Sequence, residues 1–267
     1  MVLSRPRAPA LDADAGGPLR RGRVGGDFVL LLEDLSARGC AVSDGTWAIS
    51  GISPRARSRT WRSCTCASRT RRSWPRIAPW ASETRPRSTR FTVRTLRRVI
   101  EHHADKVSAA YLEVARRYAD DPEGVEALWA RGPRTLIHAD AHIGNLFVDA
   151  GRVGFLDWGM LCVYPAMRDV SFFLTMGMDA LERKRCERDL VRHYVDTRRA
   201  LGGSPLSFDD AWTAHRLHAA YTVIASFLTM VPPYDAESRR VFTEAFRARS
   251  IASLDDLDSV GLLASVS

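Results

Sequence analysis

Apolar residues in the second half of the chain recur at spacings of three and four. In "TLRRVIEHHADKVSAAYLEVARRYADD" the residues Leu96, Val99, Ile100, Val107, Ala110, Tyr111, Val114 and Ala115 form one stripe, which predicts a helical stretch. The run Asp120 to Gly124, with Pro122 inside it, breaks that pattern. "EGVEALWARGP" predicts a second, short helix stopped by Gly132 and Pro133. The period then shortens. "TLIH" and "NLFVD" read as strands, "AGR" as a turn and "VGFLDWG" as a third strand. Beyond them "RDVSFFLTMGM", "ERKRCERDLVRHYVDTRRALG" and "SFDDAWTAHRLHAAYTVIASFLTM" return to helix, and Ser207 followed by Asp210 predicts an N-terminal cap. Near the start, "DFVLLLEDLSARG" is an apolar run closed by acids and a glycine, a buried strand leading into a connector. The Gly-rich "GGPLRRGRVGG" ahead of it lacks a following Lys and reads as turn or disorder rather than a phosphate loop.

Charge changes this picture in one place. The chain of 267 residues carries +8, but Gly45 to Arg98 holds 14 Arg and one acid, Glu83, a local +13 that leaves −5 for the rest. Lys occurs only at 106 and 184. A basic protein suggests nucleic acid or membrane partners, yet here one segment makes the whole excess. That segment is rich in Ser, Thr, Trp and Pro and fits neither helix nor strand periodicity. Three readings fit it. It is a basic arm whose Trp61, Trp74 and Trp80 stack on bases, or a linker, or the product of a shifted reading frame in a GC-rich gene. Five cysteines, widely scattered with no C-x-x-C pair, argue against a disulfide framework or zinc site. The start lacks the apolar core of a signal peptide, and no run of 18 apolar residues is present, so a cytoplasmic protein without a membrane partner is expected.

The candidate chemistry sits between the strands. His138, Asp140, His142 and Asn145 fall within eight positions, and Asp157 follows twelve residues after Asn145. Short apolar strands can hold such a loop rigid and aim its side chains at one point. Asp140 can accept a hydroxyl proton. Asn145 and Asp157 offer oxygen ligands to a hard divalent cation. Phosphoryl transfer asks for little more than a base, a metal and a positioned nucleotide.

His138-Ala139-Asp140-Ala141-His142-Ile143-Gly144-Asn145, then a strand, a turn and Leu156-Asp157-Trp158, resembles the catalytic and metal-binding loops of the aminoglycoside phosphotransferase and choline kinase superfamily. Its members commonly show His-Gly-Asp-x-His-x-Gly-Asn, so Ala139 stands where they carry Gly. "PAMRDVSFFL" resembles the segment whose Asp buttresses the catalytic loop, here Asp169, and "FVLLLEDL" resembles the last small-lobe strand and hinge. The resemblance implies an α+β, protein-kinase-like fold with a mainly helical C-terminal lobe and a catalytic β-hairpin. It implies Asp140 as catalytic base, Asn145 and Asp157 as Mg²⁺ ligands, and His138, His142 and Asp169 as structural supports. The backbone of Glu33, Asp34 and Leu35 would form the nucleotide hinge. ATP or GTP, Mg²⁺ and a small hydroxyl-bearing substrate are the expected cofactors and partners, and nucleic acid is not.

The resemblance also implies departures. Only 26 residues precede the hinge strand and no Lys precedes Lys106, so a small lobe largely missing is expected. The expected division is 1–44 as remnant of small lobe and hinge, 45–90 as irregular Arg-rich segment, 91–255 as large lobe and 256–267 as a solvated acidic tail. Two rivals remain open. One is a non-catalytic binding protein on the remaining lobe. The other is a metal-dependent hydrolase that uses His138, Asp140 and His142 as alternating ligands. Trp212, Tyr221, Phe227 and Met230, with His215 and His218, either line an apolar acceptor pocket or belong to the core. An apolar or mixed pocket would favour a small metabolite over a polycationic aminoglycoside.

Overall fold

The computed structural model describes residues 20–24, 27–31, 34–43, 82–83, 89–150, 152–232 and 234–266. Strand β1 (Arg20–Val24) pairs antiparallel with β2 (Asp27–Leu31), Val24 opposite Asp27. The stretch expected to be turn or disorder therefore supplies a strand. Gly25 and Gly26 lie between the two in sequence, a dipeptide that two-residue hairpins favour. β3 (Ala41–Val42) and β4 (Ser82–Glu83) are two residues each. β4 belongs to the Arg-rich segment, so that segment is not wholly irregular; most of it lies outside the described residues.

The helical part opens with α1 (Thr89–His102), α2 (Ala109–Asp120) and α3 (Pro122–Trp129). Ser108 caps α2 and Asp121 caps α3, each accepting a backbone N–H of the first turn. Pro122 occupies the first turn of α3, where its missing N–H costs nothing. Strands β5 (Arg134–Ile137), β6 (Leu146–Asp149), β7 (Arg152–Phe155) and β8 (Cys162–Pro165) follow. They form two three-stranded sheets, ordered β3–β6–β7 and β4–β8–β5. The strand β8 was not expected. The "VGFLDWG" strand is shorter than read, because the backbone leaves the ladder after Phe155.

The chain then continues through α4 (Met167–Gly177), α5 (Ala180–Ala200), α6 (Phe208–Ala219), α7 (Tyr221–Ser226), α8 (Arg240–Asp256) and α9 (Ser259–Ser265). Ser207 caps α6 as expected, its Oγ accepting Asp210 N–H at 3.0 Å. Every residue of α4 is buried, which makes it the central helix. Phe172 belongs to a core shared by α1, α2, α3, α6, α7 and α8, while its neighbour Phe173 belongs to a second core under the hairpin and α5. Tyr221, Phe227 and Met230 are in the first core, and His215 and His218 are fully buried, so this stretch is core and not a pocket wall. Among the described residues no helix is long and apolar enough to cross a membrane.

The acidic C-terminus departs from expectation. Asp256 ends α8 and meets Arg183 at 2.6 Å and Lys184 at 2.8 Å. Asp258 meets Arg216 at 3.0 Å. α9 packs on α6, with Leu263 in the first core. The tail expected to be solvated therefore includes a docked helix, with Asp256 drawn in by Arg183 while Asp255 and Asp258 stay exposed as expected.

Candidate active site

The loop after β5 is held from below. Asp169, in the first turn of the buried α4, accepts the backbone N–H of His138 at 2.6 Å and of Ala139 at 2.8 Å. Burial pushes the Asp169 carboxyl above its ordinary value, opposed by His138, these two N–H groups and Arg168. His138 is buried as well, and both ring nitrogens are used within the loop. Asp140 N–H donates to His138 Nδ1 at 3.2 Å, so Nε2 carries the proton and donates to Leu156 O at 2.7 Å. The ring also lies 4.6 Å from that of Trp158 and 5.5 Å from that of Phe155. His138 thus ties the loop to the hairpin.

That engagement removes the hydrolase reading. A ring whose two nitrogens are both bound to backbone cannot ligate a metal alongside Asp140 and His142. Among the described residues no group of three or more His, Cys, Asp or Glu is placed to hold a metal ion.

Ala139 adopts φ +68°, in the left-handed region that costs a Cβ-bearing residue about 1–2 kcal/mol. Ala139→Gly is expected to raise stability by about 1 kcal/mol. Urea denaturation checks it, and a destabilised variant would show that the bend carries no strain.

Asp140 points up from this bend, its side chain a quarter exposed. Asn145 Nδ2 donates to its backbone O at 2.9 Å and to its Oδ2 at 3.1 Å. His142 Nε2 stands 3.6 Å from the same Oδ2. His142 Nδ1 accepts Gly144 N–H at 3.0 Å and so caps the short 3₁₀ turn Ile143–Asn145. Burial holds the His142 pKa below its ordinary value, with Asp140 pulling the other way, so the ring is neutral and its Nε2–H faces the carboxylate. Phe242 and Phe246 of α8 pack beside it, at centroid distances of 6.2 and 5.2 Å.

The hairpin brings in the last residue. Leu146 pairs with Phe155, and Asn145 O accepts Leu156 N–H at 2.8 Å. Asn145 and Asp157 therefore share the open end of the hairpin. Asp157 has φ +52°, and this left-handed turn takes its carboxylate out of the ladder into solvent. Its Oδ1 accepts Gly159 N–H at 3.3 Å. Asn145 Oδ1 and Asp157 Oδ2 accept nothing from the described residues. One neutral oxygen and one carboxylate, unengaged at the same end, suit a hard cation that keeps several waters and phosphate oxygens.

Six of the nine site residues read from sequence are thus brought together: His138, Asp140, His142, Asn145, Asp157 and Asp169. Of the hinge trio, Glu33 lies outside the described residues. Asp34 is exposed and accepts Ser36 N–H, Ser36 Oγ–H and Ala37 N–H. These bonds, led by the Ser36 side chain, lower its pKa. Leu35 O accepts from Arg38 and Cys40 N–H within the same turn. This turn docks on the far end of the hairpin, where Arg38 pairs with Asp149 and β3 lies against β6.

The sequence profile of the phosphotransferase enzyme family matches residues 67–203, which hold all six clustered residues. The chain belongs to that family. No curated protein matches it. Among solved structures, a choline/ethanolamine kinase family protein from Mesorhizobium loti is 14% identical with a TM-score of 0.48, covering 95% of this chain and 94% of that one. Plasmodium vivax ethanolamine kinase is 11% identical with a TM-score of 0.48, covering 92% of this chain and 70% of that one. Likenesses this distant carry nothing about substrate. Membership of the phosphotransferase enzyme family supports kinase-like chemistry on a small molecule and leaves the acceptor open.

Proposed function

We propose that the chain transfers the γ-phosphoryl group of ATP or GTP to a hydroxyl of a small molecule. One observation carries this reading: Asp140, partly exposed, is held by Asn145 and lies beside His142 at the end of the hairpin that also presents Asp157. Asp140 orients the acceptor hydroxyl and takes its proton as the new O–P bond forms and the bond from the γ-phosphorus to the departing nucleoside diphosphate breaks. The Asn145 amide fixes the carboxylate without competing for that proton, and His142 stands beside it. Asn145 Oδ1 and Asp157 would hold Mg²⁺, which when bound would neutralise charge on the phosphate oxygens. His138 and Asp169 position the loop and touch no substrate.

The docked turn at residues 34–39 adds support. It sits one hairpin length from Asn145, about 13 Å for four residues at strand rise, a separation that a nucleoside triphosphate can bridge between base and γ-phosphate. The test is phosphorus NMR of the protein with ATP, Mg²⁺ and a panel of small alcohols. A magnesium-dependent phosphate ester is expected. An ester formed equally well with chelator present would contradict the assignment of Asn145 and Asp157.

A second reading, a non-catalytic binding protein, is favoured by the absence of any Lys before Lys106 to anchor the phosphates. It predicts small-molecule binding that is indifferent to nucleotide and magnesium.

A further inference from the structure

Arg168 precedes Asp169 in the first turn of α4 and is 7% exposed. A guanidinium so buried ordinarily rests against a carboxylate. Its hydrogen bonds run instead to neutral groups, Nε to His218 Nδ1 at 3.3 Å and a terminal N–H to Tyr164 Oη at 3.5 Å. Burial, with Arg168 beside it, holds His218 well below its ordinary pKa, which leaves a neutral ring able to accept. Three aromatic faces enclose the cation: Tyr221 at 3.5 Å from its centroid, Tyr164 at 4.9 Å and Trp129 at 5.2 Å. The phenols of Tyr118 and Tyr164 donate to the Glu126 carboxylate, at 3.1 and 3.3 Å, so a tyrosine stands between Arg168 and that anion.

Beside this caged cation is a buried anion with the complementary deficit. The Asp169 carboxylate is held by two backbone N–H groups, with no cation in contact among the described residues. The two charges are adjacent in sequence and set by one helical turn. Trp129 belongs to α3, Tyr164 to β8 and Tyr221 to α7, so the cage fixes the rotation of α4 against three other elements.

We propose that Arg168 is a positioning residue, whose charge, fixed in the cage of Trp129, Tyr164 and Tyr221, holds the Asp169 carboxylate on the N–H groups of His138 and Ala139. The catalytic loop is then set from the core by a charge and not by packing alone. Only the word catalytic rests on the proposed function; the clamp on the two amides stands without it.

Amide hydrogen exchange at His138 and Ala139 tests this on the full chain without substrate. Arg168→Gln, which keeps bulk and loses charge, is expected to speed exchange at both amides about tenfold or more, with Val148 and Val153 of the hairpin unchanged. Arg168→Lys, which keeps the charge, is expected to stay near wild type. Where transfer is measurable, Arg168→Gln lowers kcat and leaves KM for ATP unaltered. Full protection in Arg168→Gln, or losses in Arg168→Lys equal to those in Arg168→Gln, overturns the proposal. If Arg168→Gln fails to fold, Arg168→Lys decides alone, since retained protection supports the role of charge and lost protection refutes it. Absence of any transfer activity would sink the proposed function and leave this exchange result standing.

Discussion

Asp140→Asn is expected to lower the rate of phosphoryl transfer by about 10²–10⁴-fold, the usual contribution of a positioned general base. The substitution is nearly isosteric. Asn145 Nδ2 keeps its bond to the residue 140 carbonyl at 2.9 Å, and the new amide oxygen can replace Oδ2 as its second acceptor. The loop therefore keeps its shape, and Tm should move by no more than a few degrees. What is lost is the ability to take a proton, which matters only as the acceptor attacks. The loss should fall on kcat, with KM for ATP unchanged. A variant that retains transfer within threefold of wild type would remove Asp140 from the chemistry.

Asp169→Ala is the largest expected effect on stability. The carboxylate is the acceptor for two buried backbone N–H groups, and its removal strands both. Each unpaired donor costs about 1–3 kcal/mol. Relief of the burial that raises the Asp169 pKa offsets part of this. A net loss of about 3 kcal/mol is expected, seen as a fall in Tm of about 6–12 °C for a protein of this size. The loop should lose order first, so transfer falls further than stability alone explains. An unchanged Tm would mean that water or a loop shift satisfies the two amides.

The parts of this molecule that sequence reading found are those with local causes. The stripe from Leu96 to Ala115 predicts helix because one face repeats every three to four residues, although it reads as a single helix and the structure breaks it between His102 and Ala109 into α1 and α2. The hairpin and its polar loop are legible because alternating apolar positions flank residues of ligand type at fixed spacing. Ser207 is legible as a cap because it bonds three residues ahead.

The parts that were missed have remote causes. Asp256 read as solvated, yet its side chain is 19% exposed and its partner Arg183 lies 73 residues away, whereas Asp258 is exposed as read. β8 spans four residues and owes its existence to β5 on one side and β4 on the other. The strand Arg20–Val24 carries too many arginines for an apolar pattern and is fixed by pairing with β2. The break between α6 and α7 at Ala220 has no glycine or proline to announce it. In the site, Asp169 was found as a support, but its grip is on backbone N–H groups that every residue carries. Arg168 was missed because it looks like one more arginine. Only the cage assembled from three other elements sets it apart. Ala139 left a trace: it departs from the family's glycine at the one loop position with positive φ.

The central claim is that the end of the hairpin, Asn145 with Asp157, holds magnesium and through it a nucleotide. Calorimetric titration of ATP into the protein, with and without Mg²⁺ and beside Asp157→Ala, tests this most directly. The account predicts binding that needs Mg²⁺ and is lost in Asp157→Ala, with the fold of that variant intact by its melting curve. Binding of equal strength without Mg²⁺ or in Asp157→Ala, or no binding at millimolar ATP, would contradict it.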